Sequence, residues 1–291
     1  MSPRLLCNDH CMLKSAVGFS KCESMALSVE TCAAQHIGDR KEQQDRVGLL
    51  PHPERRNMLM AMLADGMGGH SGGAMAAEQV ILKARQNFEV FAPADEPPQE
   101  LLRSIIDEAH TVIKLTRFTS EQDPHTTACV LLFQPGRVDW AHCGDSRIYH
   151  FRGDKLVTRS ADHSYVNEMV RQGFLTPEQA EQHPQKNVLL GCLGSEREPT
   201  IDYGGTTPLA DGDTFLLCSD GLWAYFSDAE LGGVLAAHPP RGAAEILIQR
   251  ARDRAAGHGD NCSLVIVRLV EKKAEQKPAP PGPKGVAPAR P

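Results

Sequence analysis

Four aspartates, each at the end of or beside a predicted strand, constrain this chain more than any other feature; they are Asp65, Asp145, Asp220 and Asp260. Their local sequences are Ala-Asp-Gly-Met, Gly-Asp-Ser-Arg, Ser-Asp-Gly-Leu and Gly-Asp-Asn, in that order. Carboxylates that converge from separate strand ends repel one another and lose their hydration, so a fold that collects them usually holds hard divalent cations there. If the cations are Mg²⁺ or Mn²⁺, hydrolysis of a phosphoester is the chemistry that fits.

The composition is that of a globular protein and argues against two classes of partner. Of the 291 residues, 41% are hydrophobic and 23% are charged, which suffices for one large core. The net charge of −6 and the lack of a basic block in the body of the chain argue against a nucleic-acid-binding surface. The longest apolar stretches fall far short of the roughly 20 residues that a bilayer-spanning helix needs, so we expect no membrane partner. Nothing in the sequence demands more than a monomer.

The cysteines and the N-terminal segment predict a cytoplasmic protein. Nine cysteines, an odd number, are spread through strand-like and loop-like segments, which favours reduced thiols over a disulfide framework. Residues 1–24 contain charged and polar interruptions instead of a continuous apolar stretch behind a basic start, so a secretory signal is not expected. A structural zinc at Cys7, His10 and Cys11 is a minor alternative to disorder, because their spacing matches no common zinc-finger pattern.

The distribution of apolar residues predicts one domain with two tails. We predict a disordered leader over residues 1–24 and a catalytic domain over residues 25–270. From residue 271 to residue 291, lysine, alanine and proline replace the apolar pattern, which predicts a disordered tail.

Predicted strands come in groups and predicted helices come in pairs. Residues 25–35 and 45–50 look like an opening hairpin, and residues 126–158 contain four strands separated by turn signals, which predicts a meander. Apolar residues at helical spacing predict two long consecutive helices over residues 74–91 and 98–118.

Shorter signals complete the predicted order of elements. Capping boxes that begin at Thr176 and Ser227 predict the starts of two further helices. Short apolar runs directly before Asp65 and Asp220 predict buried strands. The grouping of strands and of helices favours antiparallel sheets covered by helices over a doubly wound parallel sheet.

Several short motifs carry a resemblance to a known family; they are Gly38-Asp39-Arg40 with Asp45, Asp65 to His70, His125 to Ala128, Gly144 to Arg147, Asp162 to Ser164, His183-Pro184 with Asn187, Ser219 to Trp223, and Asp260-Asn261. Any one of them alone would be weak evidence. In this order and at these separations, the chain resembles the metal-dependent serine/threonine protein phosphatases of type 2C, particularly the bacterial branch. The resemblance runs from about residue 34 to residue 270.

The resemblance implies an α+β fold, a four-layer αββα sandwich of two antiparallel sheets flanked by helix pairs. It also implies two Mn²⁺ or Mg²⁺ ions in the cleft between the sheets, with a weaker third ion in many bacterial members. By position, the carboxylate of Asp65 would bridge the two ions, and the carbonyl of Gly66 would be a further ligand. Asp220 and Asp260 would complete the ligands of the first ion, and Asp145 with Asp220 would bind the third.

The resemblance also implies the reaction and its participants. A water molecule shared by the two ions would attack phosphorus in line, so no cysteine or serine nucleophile is needed. Arg40 matches the family's phosphate-binding arginine, whose planar guanidinium suits two phosphoryl oxygens. The substrates would be phosphoserine and phosphothreonine in proteins, and a cognate serine/threonine kinase would be the opposing partner. Residues 162–195 correspond to the mobile flap beside the cleft in bacterial members.

Two positions depart from the family pattern. Gln44 stands where bacterial members have a glutamate directly before the aspartate that matches Asp45, beside the metal ligands. That glutamate mainly holds water on the second ion, so we expect weaker second-ion affinity. Ala224 stands where some members carry an acidic residue for the third ion. These changes motivate one alternative, a weakened homologue that regulates by binding phosphoproteins; a metal-dependent nuclease is a second alternative, disfavoured by the lack of a basic groove.

Overall fold

Two five-stranded antiparallel sheets lie face to face in the computed structural model of the chain, which describes residues 27–68, 72–117 and 122–271. Along these residues the strands are β1 (Leu27–His36), β2 (Arg46–Pro51), β3 (Leu59–Ala64), β4 (Gly66–Met67), β5 (His125–Thr126), β6 (Ala128–Gln134), β7 (Arg137–Cys143), β8 (Arg147–Arg152), β9 (Lys155–Arg159), β10 (Asp202–Thr206), β11 (Asp213–Cys218) and β12 (Cys262–Glu271). The helices are α1 (Gly72–Val90), α2 (Pro98–Thr116), α3 (Tyr165–Arg171), α4 (Pro177–Glu181), α5 (Asp220–Trp223), α6 (Asp228–Ala237) and α7 (Pro240–Ala255).

The sheets and helices form four layers. The first sheet has the strand order β1-β12-β11-β8-β9 and the second has the order β10-β7-β6-β3-β2, while β4 and β5 form a separate ribbon. Helices α1 and α2, the two long helices predicted from the sequence, pack on the outer face of the second sheet. Helices α6 and α7 cover the outer face of the first sheet. The predicted α+β fold, a four-layer αββα sandwich of two antiparallel sheets flanked by helix pairs, is confirmed.

Strand β3 shows why a central strand of this sandwich is apolar on both faces. All six of its residues are buried. Because successive side chains in a strand point to opposite faces, Met60 and Met62 pack in the helix layer, whereas Leu59 faces the other sheet. In the layer between the sheets, Phe133 and Phe215 meet edge to face with ring centroids 5.3 Å apart. The short apolar run that precedes Asp65 in the sequence is therefore a strand with two covered faces.

The predicted opening hairpin is wrong, because β1 and β2 belong to different sheets. Strand β1 pairs with β12, and β2 pairs with β3. Residues 37–45 cross between the sheets and are held by Asn261, whose Nδ2 donates to the carbonyls of Ile37 (2.8 Å) and Glu42 (3.0 Å). Its Oδ1 accepts from the backbone N–H of Gln44 at 2.7 Å. Two strand-like segments around a polar run do not reveal which sheet each one joins, since that choice depends on distant partner strands.

The predicted meander over residues 126–158 is also divided between the sheets. Strands β6 and β7 form a hairpin in the second sheet, and β8 and β9 form one in the first. The chain crosses at Gly144, where φ is 107° and a Cβ atom would lie 2.7 Å from the Cβ of Thr127. Glycine is required there because other residues rarely adopt this backbone conformation. Asp145 therefore lies where the chain passes from one sheet to the other.

Helix caps confirm the short signals of the sequence analysis. The hydroxyl of Ser227 accepts from the backbone N–H of Glu230 at 3.2 Å, and the Glu230 carboxylate accepts from the backbone N–H of Ser227 at 3.1 Å. This capping box starts α6, and the equivalent box between Thr176 and Gln179 starts α4. Strand β10 and the four-residue helix α5 were not predicted. The β10 sequence, Asp-Tyr-Gly-Gly-Thr, lacks the alternation of apolar residues that indicates a strand.

The predicted leader and most of the predicted tail lie outside the described residues. Strand β12 extends to Glu271, one residue into the predicted tail. Within the described part of the chain, no helix combines the length and the apolar character needed to cross a bilayer.

Two neighbouring glycines in α6 provide a test of the contact between this helix and the first sheet. A Cβ atom on Gly232 would lie 2.2 Å from the carbonyl oxygen of Asp154 in the β8–β9 turn, whereas one on Gly233 would meet nothing within 4 Å. We expect Gly232→Ala to lower the free energy of unfolding by about 1–3 kcal/mol because the backbone must shift. Gly233→Ala should raise it by about 0.5–1 kcal/mol through helix propensity. Urea denaturation measures both, and equal effects would contradict the close packing.

Candidate functional site

The four aspartates of the sequence analysis come together in one cleft of about 670 Å³. Asp65 follows β3 of the second sheet, and Asp220 follows β11 of the first. Asp260 precedes β12, and Asp145 lies at the crossing between β7 and β8. The other described residues that line the cleft are Asp39, Arg40, Lys41, Glu42, Gln44, Gly66, Met67, Gly68, Asn187, Leu189 and Asn261.

The backbone of Asp65 is held from both sides by a pair of threonines. Its N–H donates to Oγ1 of Thr127 at 2.9 Å, and its carbonyl accepts from the backbone N–H of Thr127 and the hydroxyl of Thr126, both at 2.9 Å. Oγ1 of Thr127 also lies 2.8 Å from Oγ of Ser146. All three of these hydroxyl residues are fully buried. In the sequence these residues stand out only as parts of motifs, and their contacts with the backbone of Asp65 were not predicted.

Asp45 lies beneath the cleft as a fully buried carboxylate. Its Oδ2 accepts a hydrogen bond from the hydroxyl of Ser219 at 3.0 Å. Its Oδ1 is buried and makes no hydrogen bond to any described residue. Burial, reinforced by the charge of Asp260, raises the pKa of Asp45 to about 6. A buried carboxylate oxygen without a donor fits a place where a bound cation or its water would supply the missing partner.

Three of the aspartates that line the cleft, Asp65, Asp145 and Asp220, have raised pKa values. Burial is the main cause for each, and the charges of Asp45, Asp220 and Asp145 add to it at Asp65, whose pKa lies well above its usual value. Burial and the charge of Asp145 raise the pKa of Asp220 to about 8. Burial raises the pKa of Asp145 to about 6, and the charge of Asp162 adds to it. This all-oxygen donor set fits hard divalent cations such as Mg²⁺ and Mn²⁺, whose charge would offset the repulsion.

Arg40 lies at the mouth of the cleft and pairs with Asp260. The side chain of Arg40 is 61% exposed, and its guanidinium contacts Oδ2 of Asp260, while Oδ1 accepts from the backbone N–H of Asn261 at 2.7 Å. The adjacent Asp39 is fixed by Arg252 at 2.8 and 3.0 Å. The family resemblance implies phosphate binding by Arg40 and metal binding by Asp260, but the contact between the two side chains was not predicted. A phosphate group or a cation would have to replace this ion pair.

Gly66 and Gln44 line the cleft between the crossing segment and α1. A Cβ atom on Gly66 would lie 2.0 Å from the carbonyl oxygen of Gly73 and 2.7 Å from that of Gln44. Only glycine therefore fits where β4 passes the first turn of α1. The backbone N–H of Gln44 is bonded to Asn261, so its position follows from the same side chain that holds the crossing segment.

A chain of contacts connects Asp145 to the segment that the sequence analysis identified as a flap. Nε1 of Trp223 donates to the carbonyl of Asp145 at 2.9 Å. The guanidinium of Arg147 lies 3.5 Å from the centroid of the Trp223 ring and binds both carboxylate oxygens of Asp162, at 2.8 and 2.7 Å. Farther along the same segment, Leu189 lines the cleft. Sequence reasoning found Arg147 and Trp223 within motifs but not their contact.

Comparison with known sequences gives one family. The model of the protein phosphatase 2C family matches residues 32–248. Protein phosphatase PhpP of Streptococcus pneumoniae is 34% identical to the chain over 239 residues, which cover 81% of this chain and 95% of PhpP.

Comparison with solved structures agrees. The serine/threonine phosphatase of S. agalactiae superposes with a TM-score of 0.74 and 30% identity, covering 84% of this chain and 100% of that chain. The catalytic domain of the serine/threonine protein phosphatase PstP in complex with two manganese ions superposes with a TM-score of 0.68 and 29% identity, covering 84% and 99% of the respective chains. The similarity therefore spans the whole sandwich and not a single motif.

The raised pKa of Asp220 predicts how stability depends on pH in metal-free protein. Its pKa is raised from 3.8 to about 8 in the fold, so its contribution to stability is complete below about pH 4 and is lost as the pH rises toward about 8. We expect the free energy of unfolding to fall less steeply over this range in Asp220→Asn than in the wild-type protein. Thermal denaturation in the presence of a chelator measures this, with the exposed Asp154→Asn as control. Identical pH profiles for all three proteins would contradict the prediction.

Proposed function

Because the chain belongs to the protein phosphatase 2C family, we propose that it hydrolyses phosphoserine and phosphothreonine esters in proteins with the help of Mn²⁺ or Mg²⁺. The observation that carries this proposal is the convergence of four aspartates from separate strand ends in one cleft, with a buried and partly unpartnered carboxylate below them. The manganese complex of the similar PstP catalytic domain supports the choice of metal.

In this proposal the residues of the cleft would hold the ions, and a water molecule would be the nucleophile. Asp65 would bind both ions, with the Gly66 carbonyl as a further ligand. Asp220 and Asp260 would complete the ligands of the first ion, and Asp145 with Asp220 would bind a weaker third. Bound divalent cations would lower the pKa of water and neutralise charge on the phosphoryl oxygens. The hydrogen bonds between the backbone of Asp65 and the two threonines, Thr126 and Thr127, would keep the Asp65 carboxylate in place while substrates exchange.

The residues of the cleft favour water as the nucleophile. The described lining residues include no cysteine, serine, threonine or histidine. Burial raises the pKa of the Cys218 and Cys262 thiols, the latter to about 12, which keeps both thiols protonated. Arg40 would leave Asp260 and bind two phosphoryl oxygens with its planar guanidinium. Its exposed position at the cleft mouth allows this movement.

The substrate class and the setting follow from the family and from the thiols. The similar proteins PhpP and PstP are phosphatases, and PstP is named a serine/threonine protein phosphatase. A phosphoprotein is therefore the expected substrate, with a serine/threonine kinase as the opposing enzyme and a monomer as the working unit. Six cysteines among the described residues are free thiols, which fits a reducing compartment such as the cytoplasm.

Asp220→Asn tests the proposed phosphatase activity. We expect Mn²⁺-stimulated hydrolysis of p-nitrophenyl phosphate and of a phosphothreonine peptide by the wild-type protein, and a loss of roughly 100-fold or more in the variant, because a metal ligand loses its charge. Asp95→Asn, an exposed residue that does not line the cleft, is the matched control.

The outcome separates the alternatives. Activity on single-stranded DNA but not on the phosphopeptide would indicate a nuclease and overturn the proposal. Binding of the phosphopeptide without turnover at any Mn²⁺ concentration would indicate the weakened regulatory homologue.

Gln44→Glu tests whether the departure from the family weakens the binding of the second ion. Gln44 lines the cleft, and a carboxylate there would add one negative charge beside the proposed ions. We expect the Mn²⁺ concentration for half-maximal activity to fall by roughly 10-fold, the size of effect typical of groups that support metal ligands. Gln43→Glu, at the adjacent position that does not line the cleft, is the control. An unchanged Mn²⁺ dependence would show that Gln44 does not influence the metal.

A further inference from the structure

A second group of potential metal ligands lies outside the aspartate cleft. His142 on β7 and Asp202 on β10 are directly opposed residues of neighbouring antiparallel strands. His163 precedes α3 and approaches them from the start of the segment identified as a flap. One ligand atom from each of the three side chains lies within 4.8 Å of the other two. None of the three residues lines the aspartate cleft.

His142 presents a buried nitrogen that lacks a partner. Its Nε2 lies 2.7 Å from the carbonyl oxygen of Ser146, which can only accept, so Nε2 carries the proton. Its Nδ1 therefore carries a lone pair, and this atom is buried without a hydrogen bond to any described residue. Burial and the neighbouring His163 lower the pKa of His142 to about 4, so the ring is neutral near pH 7. Metal-binding histidines commonly donate their second nitrogen to a carbonyl in this way.

His163 and Asp202 are already spaced like two ligands of one ion. Nε2 of His163 lies 3.0 Å from Oδ2 of Asp202, close to the ligand separation of about 3.3 Å that tetrahedral zinc with bonds of 2.0–2.1 Å requires. The His163 ring is 4.8 Å from the His142 ring, centroid to centroid. Binding would move the His163 proton from Nε2 to Nδ1 and break the long 3.3 Å hydrogen bond from the backbone N–H of Gly144.

A cavity lies against two of the three side chains. A cavity of about 240 Å³ between the edges of the two sheets is lined by His142 and Asp202, together with Trp140, Tyr203 and Arg159. The Asp202 carboxylate is 54% exposed, whereas His142 is fully buried. Water could therefore occupy a fourth ligand position on the exposed side of the ion.

We propose that His142, His163 and Asp202 form a binding site for a transition-metal ion of the zinc class, separate from the aspartate cleft. Two imidazoles and one carboxylate select zinc, cobalt or nickel over magnesium, whereas the cleft offers only oxygen ligands. The ion would join β7 and β10 of the second sheet to the first residues of the flap segment. The site does not depend on the proposed phosphatase activity.

Zinc titration of the Mg²⁺-saturated protein tests this site. Saturation with Mg²⁺ occupies the oxygen ligands of the cleft, and we expect one further equivalent of Zn²⁺ to bind in isothermal titration calorimetry. Asp202→Asn, at a largely exposed side chain, should weaken that equivalent by roughly 10–100-fold or more. Asp154→Asn, an exposed aspartate in the β8–β9 turn, should bind zinc like the wild-type protein.

Nitrogen NMR of the histidine rings identifies the ligand atoms directly. With ¹⁵N-labelled histidine, Zn²⁺ should shift Nδ1 of His142 and Nε2 of His163, and both shifts should persist in Asp220→Asn. The proposal is overturned if no further equivalent binds, if Asp202→Asn binds zinc unchanged, or if Asp220→Asn abolishes the zinc equivalent. The last result would place the ion in the aspartate cleft.

Discussion

Repulsion among buried carboxylates at the junction of the two sheets is the constraint on which the rest of this structure depends. Burial and neighbouring carboxylates raise the pKa values of Asp65, Asp145 and Asp220, and one oxygen of the buried Asp45 has no hydrogen-bond partner among the described residues. Such a cluster persists only if its backbone cannot move apart. Three features provide that rigidity. Thr126 and Thr127 form hydrogen bonds with the backbone of Asp65, and the indole N–H of Trp223 donates to the carbonyl of Asp145. Apolar layers cover both sides of each sheet.

The topology that makes two sheets also builds the site. Two of the segments in which the chain crosses between the sheets, residues 37–45 and Gly144-Asp145, reach the cleft. The first segment contains Arg40 and Gln44, and the second contains Asp145. Asn261 holds the first crossing through both atoms of its amide and directly follows Asp260. The hydrogen bonds of Asn261 therefore hold both the segment that connects the two sheets and the residues that this segment places in the cleft.

The segment that contains α3 and α4 touches two sites of different chemistry. Its Asp162 pairs with Arg147, whose guanidinium lies over the Trp223 ring. The indole N–H of Trp223 donates a hydrogen bond to the carbonyl of Asp145. Through His163, the next residue, it meets the imidazole of His142 and the carboxylate of Asp202. The cleft offers oxygen atoms to hard cations, and the second cluster offers nitrogen atoms to softer ones. An ion at the second cluster would therefore fix the segment that also contacts the cleft.

The sequence by itself predicted antiparallel sheets covered by helices and the starts of α4 and α6, because apolar period and capping boxes are local properties. The order of the motifs along the chain added the four layers and singled out the aspartates of the cleft. It predicted a hairpin for β1 and β2 and a single meander through β9, and both were wrong. Only the tertiary structure decided which sheet each strand joins, that Arg40 meets Asp260, and that His142 lies opposite Asp202. Those outcomes depend on contacts between residues far apart in the chain, and no local pattern encodes them.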